Sequence, residues 1–188
     1  MNGTWFPWGA QAKTDPAAYV ASWRRFHDIV SAAGAINVTW VWCPNLDFPG
    51  STSLESLYPG DAYVDWTCLD PYNQGSSSIS FASLFSASYN HLLQIAPSKP
   101  IMVGETGSYE YGGAKALWIT EALASLPIMF PRVRAYVWFN WRDFWNGTWR
   151  DWHIESSPSA QAAFAAGIAS PYFRGPGGSL PFGKVPIP

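Results

Sequence analysis

The chain has 188 residues, 48% of them hydrophobic, and its 13 acidic and 11 basic side chains leave a net charge of -2. The basic residues are scattered rather than arranged in a stripe, which argues against a nucleic-acid partner. No segment approaches the roughly 20 apolar residues that span a bilayer, and residues 1–15 lack the basic start and apolar stretch of a signal peptide. We therefore expect one globular domain that contacts neither membrane nor nucleic acid.

Aromatic side chains are unusually abundant, with 12 Trp, 9 Tyr and 11 Phe. Many lie beside Asn, Asp or Gly in the clusters Trp5–Trp8, Trp138–Trp141 and Trp145–Trp152. A ring exposed in a loop offers a flat amphipathic face, which suits a sugar. The alternative for each ring is ordinary packing in the core.

The first predicted elements are a helix and two strands. Asp15-Pro16 and Gly34 are typical start and stop signals for a helix over residues 17–33. The β-rich runs 36–42 and 62–69 follow, and each ends at polar or turn-forming residues. Cys43 and Cys68 lie in or next to these runs without metal-ligand spacing, which favours buried free thiols. The alternative is a disulfide between these two cysteines, which requires that the two strands are neighbours.

The rest of the chain alternates in the same way. Periodicity predicts a helix over 81–95, a strand over 100–104, a helix over 114–126 and a strand over 133–139. After a long loop, Ser157-Pro158 starts a last helix that ends near Ser170. Apolar strands alternating with helices indicate a covered parallel sheet, as in a (β/α)8 barrel or an open α/β fold. Both folds place their sites at the carboxyl ends of the strands.

Glu105 follows the strand 100–104 directly. A carboxylate at this position is partly desolvated by the sheet and still reachable from the loops, which suits a nucleophile. Its alternative is a structural role at the start of the following helix.

Five segments, all in the order of the family pattern, resemble glycoside hydrolase family 26, which includes β-mannanases and β-1,3-1,4-glucanases. They are residues 1–9, 58–66, 70–73, 100–107 and 137–141. The resemblance extends from residue 1 to about residue 173. It implies the C-terminal half of a (β/α)8 TIM barrel, with strands 5–8 and helices 4–8. The remaining residues, 174–188, are rich in Gly and Pro, which predicts a tail or linker.

The resemblance also implies a retaining mechanism with Glu105 as the nucleophile and Tyr72 as the tyrosine that supports it. In the family pattern the acid/base Glu stands immediately before the residue that matches Met1. We therefore expect this chain to lack the second carboxyl group that retaining hydrolysis needs. Three acidic residues near the ends of strands 7 and 8 are weak candidates to replace it, because a general acid must reach the leaving oxygen. They are Glu110, Asp143 and Glu155.

Substrate contacts are predicted at tryptophans, which offer ring faces, and at asparagines, which both donate and accept hydrogen bonds. The candidates are Asn2, Trp5, Trp8, Asn45, Trp138, Asn140 and Trp141. For each asparagine the alternative is a turn or cap.

The predicted function is a retaining endo-β-glycanase that acts on β-linked polysaccharides or oligosaccharides, inactive or weak in this form. One alternative is a non-catalytic carbohydrate-binding half-barrel, and another is a structural scaffold. Neither a metal nor an organic cofactor is expected, because two carboxyl groups suffice for glycoside cleavage. The resemblance implies an extracellular protein. A half-barrel has two open strand edges, which predicts a homodimer or association with the missing half.

Overall fold

The computed structural model describes residues 1–75, 79–110 and 113–173, so the predicted tail over 174–188 lies outside the described residues. The chain forms two compact units. The first unit comprises Met1–Asp70, Phe85–Gly104 and Arg134–Tyr136, and the second comprises the described residues within 71–84, 105–133 and 137–173.

The helices and strands predicted from the sequence are present in the predicted order, and further short elements lie between them. The helices are α1 (Pro7–Thr14), α2 (Pro16–Ala32), α3 (Leu54–Leu57), α4 (Phe81–Ile95), α5 (Lys115–Met129) and α6 (Pro158–Ile168). The strands are β1 (Val41–Trp42), β2 (Trp66–Leu69), β3 (Tyr72–Asn73), β4 (Ile101–Ser108), β5 (Val133–Trp138), β6 (Arg142–Trp145) and β7 (Thr148–Asp151). Within the described ranges, none of the helices has the length and apolar character needed to cross a membrane.

The first unit is built on parallel strands. β1 pairs with β2 in the register Val41↔Trp66, and β2 pairs with the beginning of β4 in the register Thr67↔Ile101. All four residues of β2 are buried, as expected for a parallel strand covered on both faces. The leucines of α3 and the apolar side of α4 contribute to the same core, whereas α2 has no buried residue.

Cys43 and Cys68 form a disulfide, so the prediction of free thiols was wrong. The register that pairs Val41 with Trp66 brings residues 43 and 68 opposite each other two residues further along the strands. A Cβ at Gly104 would collide with the Cys68 sulfur and stand 3.0 Å from the Cys43 sulfur. Glycine at position 104 therefore leaves space for this bond.

In the second unit, β3 pairs in parallel with the carboxyl end of β4, in the register Tyr72↔Gly107. Helices α5 and α6 approach each other closely, since a Cβ at Gly167 would overlap the Leu123 side chain. Aromatic rings fill the core. Their ring centroids are 5.7 Å apart for Phe81 and Trp118, 6.1 Å for Trp118 and Trp138, and 5.8 Å for Trp138 and Phe164.

The helices match their predictions better than the strands. The Asp15 side chain caps α2 by accepting a hydrogen bond from the Ala18 N–H, and α4 has the predicted bounds. The strand predicted over 36–42 is reduced to β1, and the run 62–69 begins with a 3₁₀ turn, Asp61–Tyr63, before β2. A β-rich composition does not by itself supply a partner strand, and a strand forms only where one is in register.

The loop predicted after residue 139 contains an antiparallel hairpin formed by β6 and β7. Its turn is Asn146-Gly147, with φ of 50° and 79°. Two turn residues with positive φ give the twist that hairpin strands need. The register runs from Arg142↔Asp151 to Trp145↔Thr148. The sequence contains this signal, an Asn-Gly pair between aromatic runs, but our prediction missed it.

Candidate active site

Glu105 lies in the carboxyl-terminal part of β4 with its side chain exposed. The Tyr72 hydroxyl donates a hydrogen bond of 2.7 Å to Glu105 Oε2. The pairing of Tyr72 with Gly107 places the two side chains on neighbouring parallel strands. A hydrogen bond from a phenol stabilises a carboxylate in its charged form, which is the form that attacks.

A layer of aromatic rings fixes the position of Tyr72. Its ring centroid lies 5.1 Å from that of Trp152 and 5.7 Å from that of Phe139, and both ring pairs meet edge to face. The ring centroid of Tyr109 lies 5.0 Å from that of Trp152. A Cβ at Gly107 would stand 3.0 Å from the Trp152 ring, so glycine permits this close approach. The tyrosine hydroxyl is therefore held by rigid packing.

Trp152 is buried and is hydrogen-bonded at both ends. Its Nε1 donates to Asp143 Oδ1 at 2.9 Å, and its carbonyl accepts from Trp138 Nε1 at 2.7 Å. Arg150 forms an ion pair with the same Asp143 carboxylate. Desolvation raises the pKa of Asp143, but the hydrogen bonds from Arg150 and Trp152 outweigh it, and the pKa lies below its ordinary value. Asp143 is therefore ionised near neutral pH.

Lys115, the first residue of α5, is 1% exposed and holds the segment after β7. Its ammonium group donates to the His153 carbonyl at 2.6 Å, to Ser156 Oγ at 2.8 Å and to the Asp151 carbonyl at 3.4 Å. Burial lowers the pKa of Lys115 to about 8, although neighbouring acidic side chains oppose this shift. Because Trp152 lies within the segment, Lys115 supports the Trp152–Tyr72 contact from a distance.

The predicted binding residues of the second unit differ in exposure. Trp138 is 9% exposed and belongs to the core, whereas Trp141 is 63% exposed and offers its ring to solvent. Asn140 is exposed, and its side chain accepts from the Ile154 N–H at 2.6 Å and donates to Glu155 at 3.4 Å. The Phe139 N–H donates to the Thr106 carbonyl at 2.8 Å, which brings the end of β5 next to the residue that follows Glu105.

Asn2 in the first unit is buried, and its side-chain amide binds backbone. Nδ2 donates to the carbonyls of Asn45 and Leu46 at 3.0 and 3.1 Å, and Oδ1 accepts from the Asn45 N–H at 2.9 Å. These three hydrogen bonds fix the backbone conformation at Asn45 and Leu46.

Trp5 and Trp8, also in the first unit, are about half exposed. The Trp8 ring stacks on Phe6 with centroids 4.6 Å apart, and Trp5 meets Phe48 at 5.9 Å. Each of these two tryptophan rings therefore packs against another aromatic ring and leaves part of its surface exposed to solvent.

Each of the three acidic residues considered as a replacement acid has a hydrogen-bond partner. Glu110 accepts from Ser157 Oγ at 2.5 Å, and Glu155 accepts from Asn140. Asp143 is paired with Arg150 and is ionised, so it has no proton to give to a leaving oxygen.

Among the residues that the structure describes, one group has the spacing of a metal site, namely Cys43, Cys68 and Asp70. Both sulfurs are used by the disulfide. A metal ion that needs thiolate ligands therefore does not fit this group.

Arg150 and Lys115 were not predicted from the sequence to have a role, and Trp152 was predicted only as a member of the aromatic cluster Trp145–Trp152. The Asn146-Gly147 turn was the available signal for Arg150 and Trp152, because a hairpin with this turn pairs Arg150 with Asp143 and brings Trp152 back beside Trp141. No local signal marked Lys115, whose partners lie 36 to 41 residues away along the chain.

In parallel barrel folds the active site lies at the carboxyl ends of the strands, which is where this chain carries an exposed carboxylate beside a layer of aromatic rings. The chain belongs to glycosyl hydrolase family 26, whose family model matches residues 1–164. It is 41% identical over 179 residues to Endoglucanase H of Acetivibrio thermocellus, which covers 90% of this chain and 19% of that protein. It is 29% identical over 152 residues to a mannan endo-1,4-β-mannosidase of Caldalkalibacillus mannanilyticus, covering 78% and 27% of the two chains.

Solved structures confirm the fold. The catalytic domain of an endo-β-1,4-mannanase from Bacillus sp. JAMB-750 matches with a TM-score of 0.68 and 23% identity, over 91% of this chain and 48% of that one. A β-mannanase from Bacteroides ovatus matches with a TM-score of 0.60 and 24% identity, over 91% and 48%. The chain thus spans less than half of these domains, and the predicted partial (β/α)8 barrel and the predicted family are both confirmed.

Proposed function

We propose that this chain carries the nucleophile-bearing half of a retaining endo-β-glycanase, with Glu105 as the nucleophile and Tyr72 as its hydrogen-bond donor. The observation that carries the proposal is the 2.7 Å contact from the Tyr72 hydroxyl to the exposed carboxylate of Glu105. Family membership and relatives named for endoglucanase and endo-mannosidase activity support the same reaction class.

In the proposed reaction Glu105 Oε1 or Oε2 attacks the anomeric carbon of a β-linked sugar. The new carbon–oxygen bond forms as the glycosidic bond breaks, and the leaving oxygen takes a proton from a second carboxylic acid. Water then hydrolyses the glycosyl-enzyme ester. We propose that the second carboxyl group comes from polypeptide other than these 188 residues. Loss of general acid catalysis costs roughly 10²- to 10⁴-fold, so natural polysaccharides would react slowly without it.

We propose β-glucan as the first substrate to test and β-mannan as the second, because the relative with 41% identity is named an endoglucanase. Exposed rings are the proposed sugar platforms, with asparagine side chains binding hydroxyl groups. They are Trp5, Trp8 and Trp141, with Asn45 and Asn140. Asn2 and Trp138 are buried, and we propose that each supports the exposed residues of its own unit from within.

Covalent trapping tests the nucleophile without requiring a general acid. A 2-deoxy-2-fluoro-β-cellobioside with a dinitrophenolate leaving group should form a stable ester, which mass spectrometry locates on the peptide that contains Glu105. The mannobioside analogue tests the second substrate. Glu105→Gln should abolish the adduct, and the matched variant Glu110→Gln, five residues away, should retain it. An adduct on another residue, or an adduct that survives Glu105→Gln, contradicts the assignment.

A non-catalytic carbohydrate-binding protein is the second candidate, favoured by the exposed Trp141 ring. Calorimetric titration with cellohexaose and mannohexaose separates the two functions. Binding with no adduct from either trapping reagent supports the second candidate.

We also propose an extracellular location. The Cys43–Cys68 disulfide supports it, because disulfides persist mainly in oxidising compartments. Free-thiol titration of protein purified from the native host tests this, and two reactive thiols per chain would contradict it.

A further inference from the structure

The tetrapeptide Asn-Gly-Thr-Trp occurs twice in the chain, at residues 2–5 and at residues 146–149. Asn-Gly is prone to spontaneous deamidation, because glycine has no Cβ to obstruct attack by its own backbone nitrogen on the asparagine side chain. Since the four residues are identical, a difference in reactivity between the two copies arises mainly from the fold around them.

Deamidation consumes only the chain and water. The glycine nitrogen attacks Cγ of the asparagine side chain and forms a new N–C bond. It gives its proton to the side-chain nitrogen, which leaves as ammonia. Water then opens the resulting succinimide ring at one of its two carbonyl groups. One opening gives aspartate, and the other gives isoaspartate, in which the main chain runs through Cβ and Cγ. Both products carry a new negative charge.

At the second copy the reacting groups are open to solvent. Asn146 and Gly147 form the exposed turn between β6 and β7, and the ladder of the hairpin ends at the pair Trp145↔Thr148. Within the described part of the chain, neither the Asn146 side chain nor the Gly147 N–H takes part in a hydrogen bond. A Cβ added at Gly147 would meet nothing within 4 Å. The attacking nitrogen and the side-chain amide are therefore both accessible.

At the first copy the same groups are enclosed. Asn2 is 1% exposed, and its amide makes three hydrogen bonds of 2.9 to 3.1 Å with the backbone of Asn45 and Leu46. A Cβ added at Gly3 would overlap the Trp5 ring, whose nearest atom would be 1.7 Å away. The Asn2 side chain must therefore break three buried hydrogen bonds before it can react with the Gly3 nitrogen.

We propose that Asn146 is a site of spontaneous modification that converts to aspartate and isoaspartate, and that the fold protects Asn2 from the same reaction. The isoaspartate product also weakens the hairpin. This chemistry is independent of the proposed glycan hydrolysis, because it uses neither Glu105 nor a sugar.

The effect on the hairpin follows from the length of its turn. A two-residue turn with positive φ matches the twist of the strands on either side of it, and isoaspartate lengthens the path from Trp145 to Thr148 by one main-chain atom. The same hairpin carries the ion pair between Arg150 and Asp143, to which Trp152 donates. The isoaspartate form should therefore unfold at a lower urea concentration than the aspartate form.

Peptide mapping of the folded chain after storage at mildly alkaline pH tests the site. Cleavage after Lys and Arg releases residues 143–150, in which Asn146 is the only amide side chain, and residues 1–13, which contain Asn2. Mass spectrometry detects the exchange of –NH2 for –OH, and chromatography separates aspartate from isoaspartate. Residues 143–150 should convert at least roughly tenfold faster than residues 1–13, because Asn2 must first break its hydrogen bonds.

Storage of the chain unfolded in guanidinium chloride is the matched control. Both peptides should then convert at comparable rates, because the reacting tetrapeptides are the same. Gly147→Ala, tested in the same denaturant so that folding plays no part, should slow conversion of residues 143–150 alone, since a Cβ hinders the attacking nitrogen. Asn146→Asp supplies the aspartate product without storage and is the reference for the urea midpoint.

Conversion in the folded chain that is no faster at Asn146 than at Asn2 would overturn the assignment of the site. So would an Asn146 that stays intact in the folded chain and converts only in the unfolded chain. Equal urea midpoints for the purified isoaspartate form and the Asn146→Asp variant would overturn the proposed weakening of the hairpin.

Discussion

The Tyr72 hydroxyl is the side-chain group that contacts the proposed nucleophile directly. Tyr72→Phe removes a hydrogen bond to a charged group, which is worth about 1.5–3 kcal/mol. We expect the rate of adduct formation at Glu105 to fall roughly ten- to a hundredfold, because the attacking carboxylate loses its donor. The ring remains packed against Trp152 and Phe139, so the urea midpoint should barely change. An unchanged trapping rate would show that the hydroxyl does not assist attack.

Gly104 is constrained by the sulfur atoms beside it. A Cβ there would collide with Cys68 and lie 3.2 Å from Asp70 Oδ1. Gly104→Ala should therefore lower the free energy of unfolding by about 1–3 kcal/mol, measured by urea denaturation. The same substitution in a Cys43→Ala, Cys68→Ala background should cost less, because the colliding atoms are gone. An equal loss of unfolding free energy in both backgrounds would show that the strain does not come from the two sulfur atoms.

At the level of elements, Lys115 ties the start of α5 to the segment after β7. Burial lowers its pKa to about 8, whereas the unfolded lysine keeps a pKa near 10.5. Between these values the unfolded chain binds more protons than the folded chain, so this group makes stability rise as pH increases from about 8 to 10.5. Below pH 8 both states are protonated, and the cost of burying the charge is present in full.

Lys115→Met should remove this rise. We expect the unfolding free energy of the parent chain to increase relative to that of the variant as the pH rises from 7 to 10. Urea denaturation at four pH values measures it. Taking the difference cancels other titrating groups, including Tyr58, whose raised pKa acts in the opposite direction above pH 10. A flat difference would mean that the Lys115 pKa is not lowered.

For the molecule as a whole, family 26 domains are about twice as long as this chain. Within the described part of the first unit, β1 pairs with β2 alone, and the nearby side chains of Ile36, Val38, Phe26 and Ile29 are exposed. Exposed edges and apolar patches tend to associate. We propose that this surface binds either a second copy or the complementary half-barrel.

Light scattering tests the association. The chain alone should show a mass that increases with concentration, and Ile36→Lys with Val38→Lys should reduce it towards the monomer, because charges oppose pairing at an edge. Ile128→Lys, on an exposed position of α5 in the second unit, is the matched control and should leave the mass unchanged. A stable monomer of the parent chain at all concentrations would exclude self-association.

The amino-acid sequence was sufficient for elements marked by strong signals between near neighbours along the chain. Asp15-Pro16 and Gly34 define α2 because caps and stops act within one turn of a helix. Apolar periodicity located α4, and the order of the motifs identified the family. The strand before Glu105 was found too, but it was predicted to end at residue 104, whereas β4 continues past Glu105 to Ser108. These signals are local or linear, so no partner segment is needed to read them.

Contacts between distant segments required the three-dimensional structure. The Cys43–Cys68 bond depends on the register between β1 and β2, which composition does not specify. Trp138 is buried and Trp141 exposed because of where the chain turns after β5, although both lie in one aromatic cluster of the sequence. Trp152 meets Tyr72 across about eighty residues, and Lys115 reaches a segment some forty residues away. Such contacts form only when whole elements pack together, so they arise from the fold and not from any short stretch of residues.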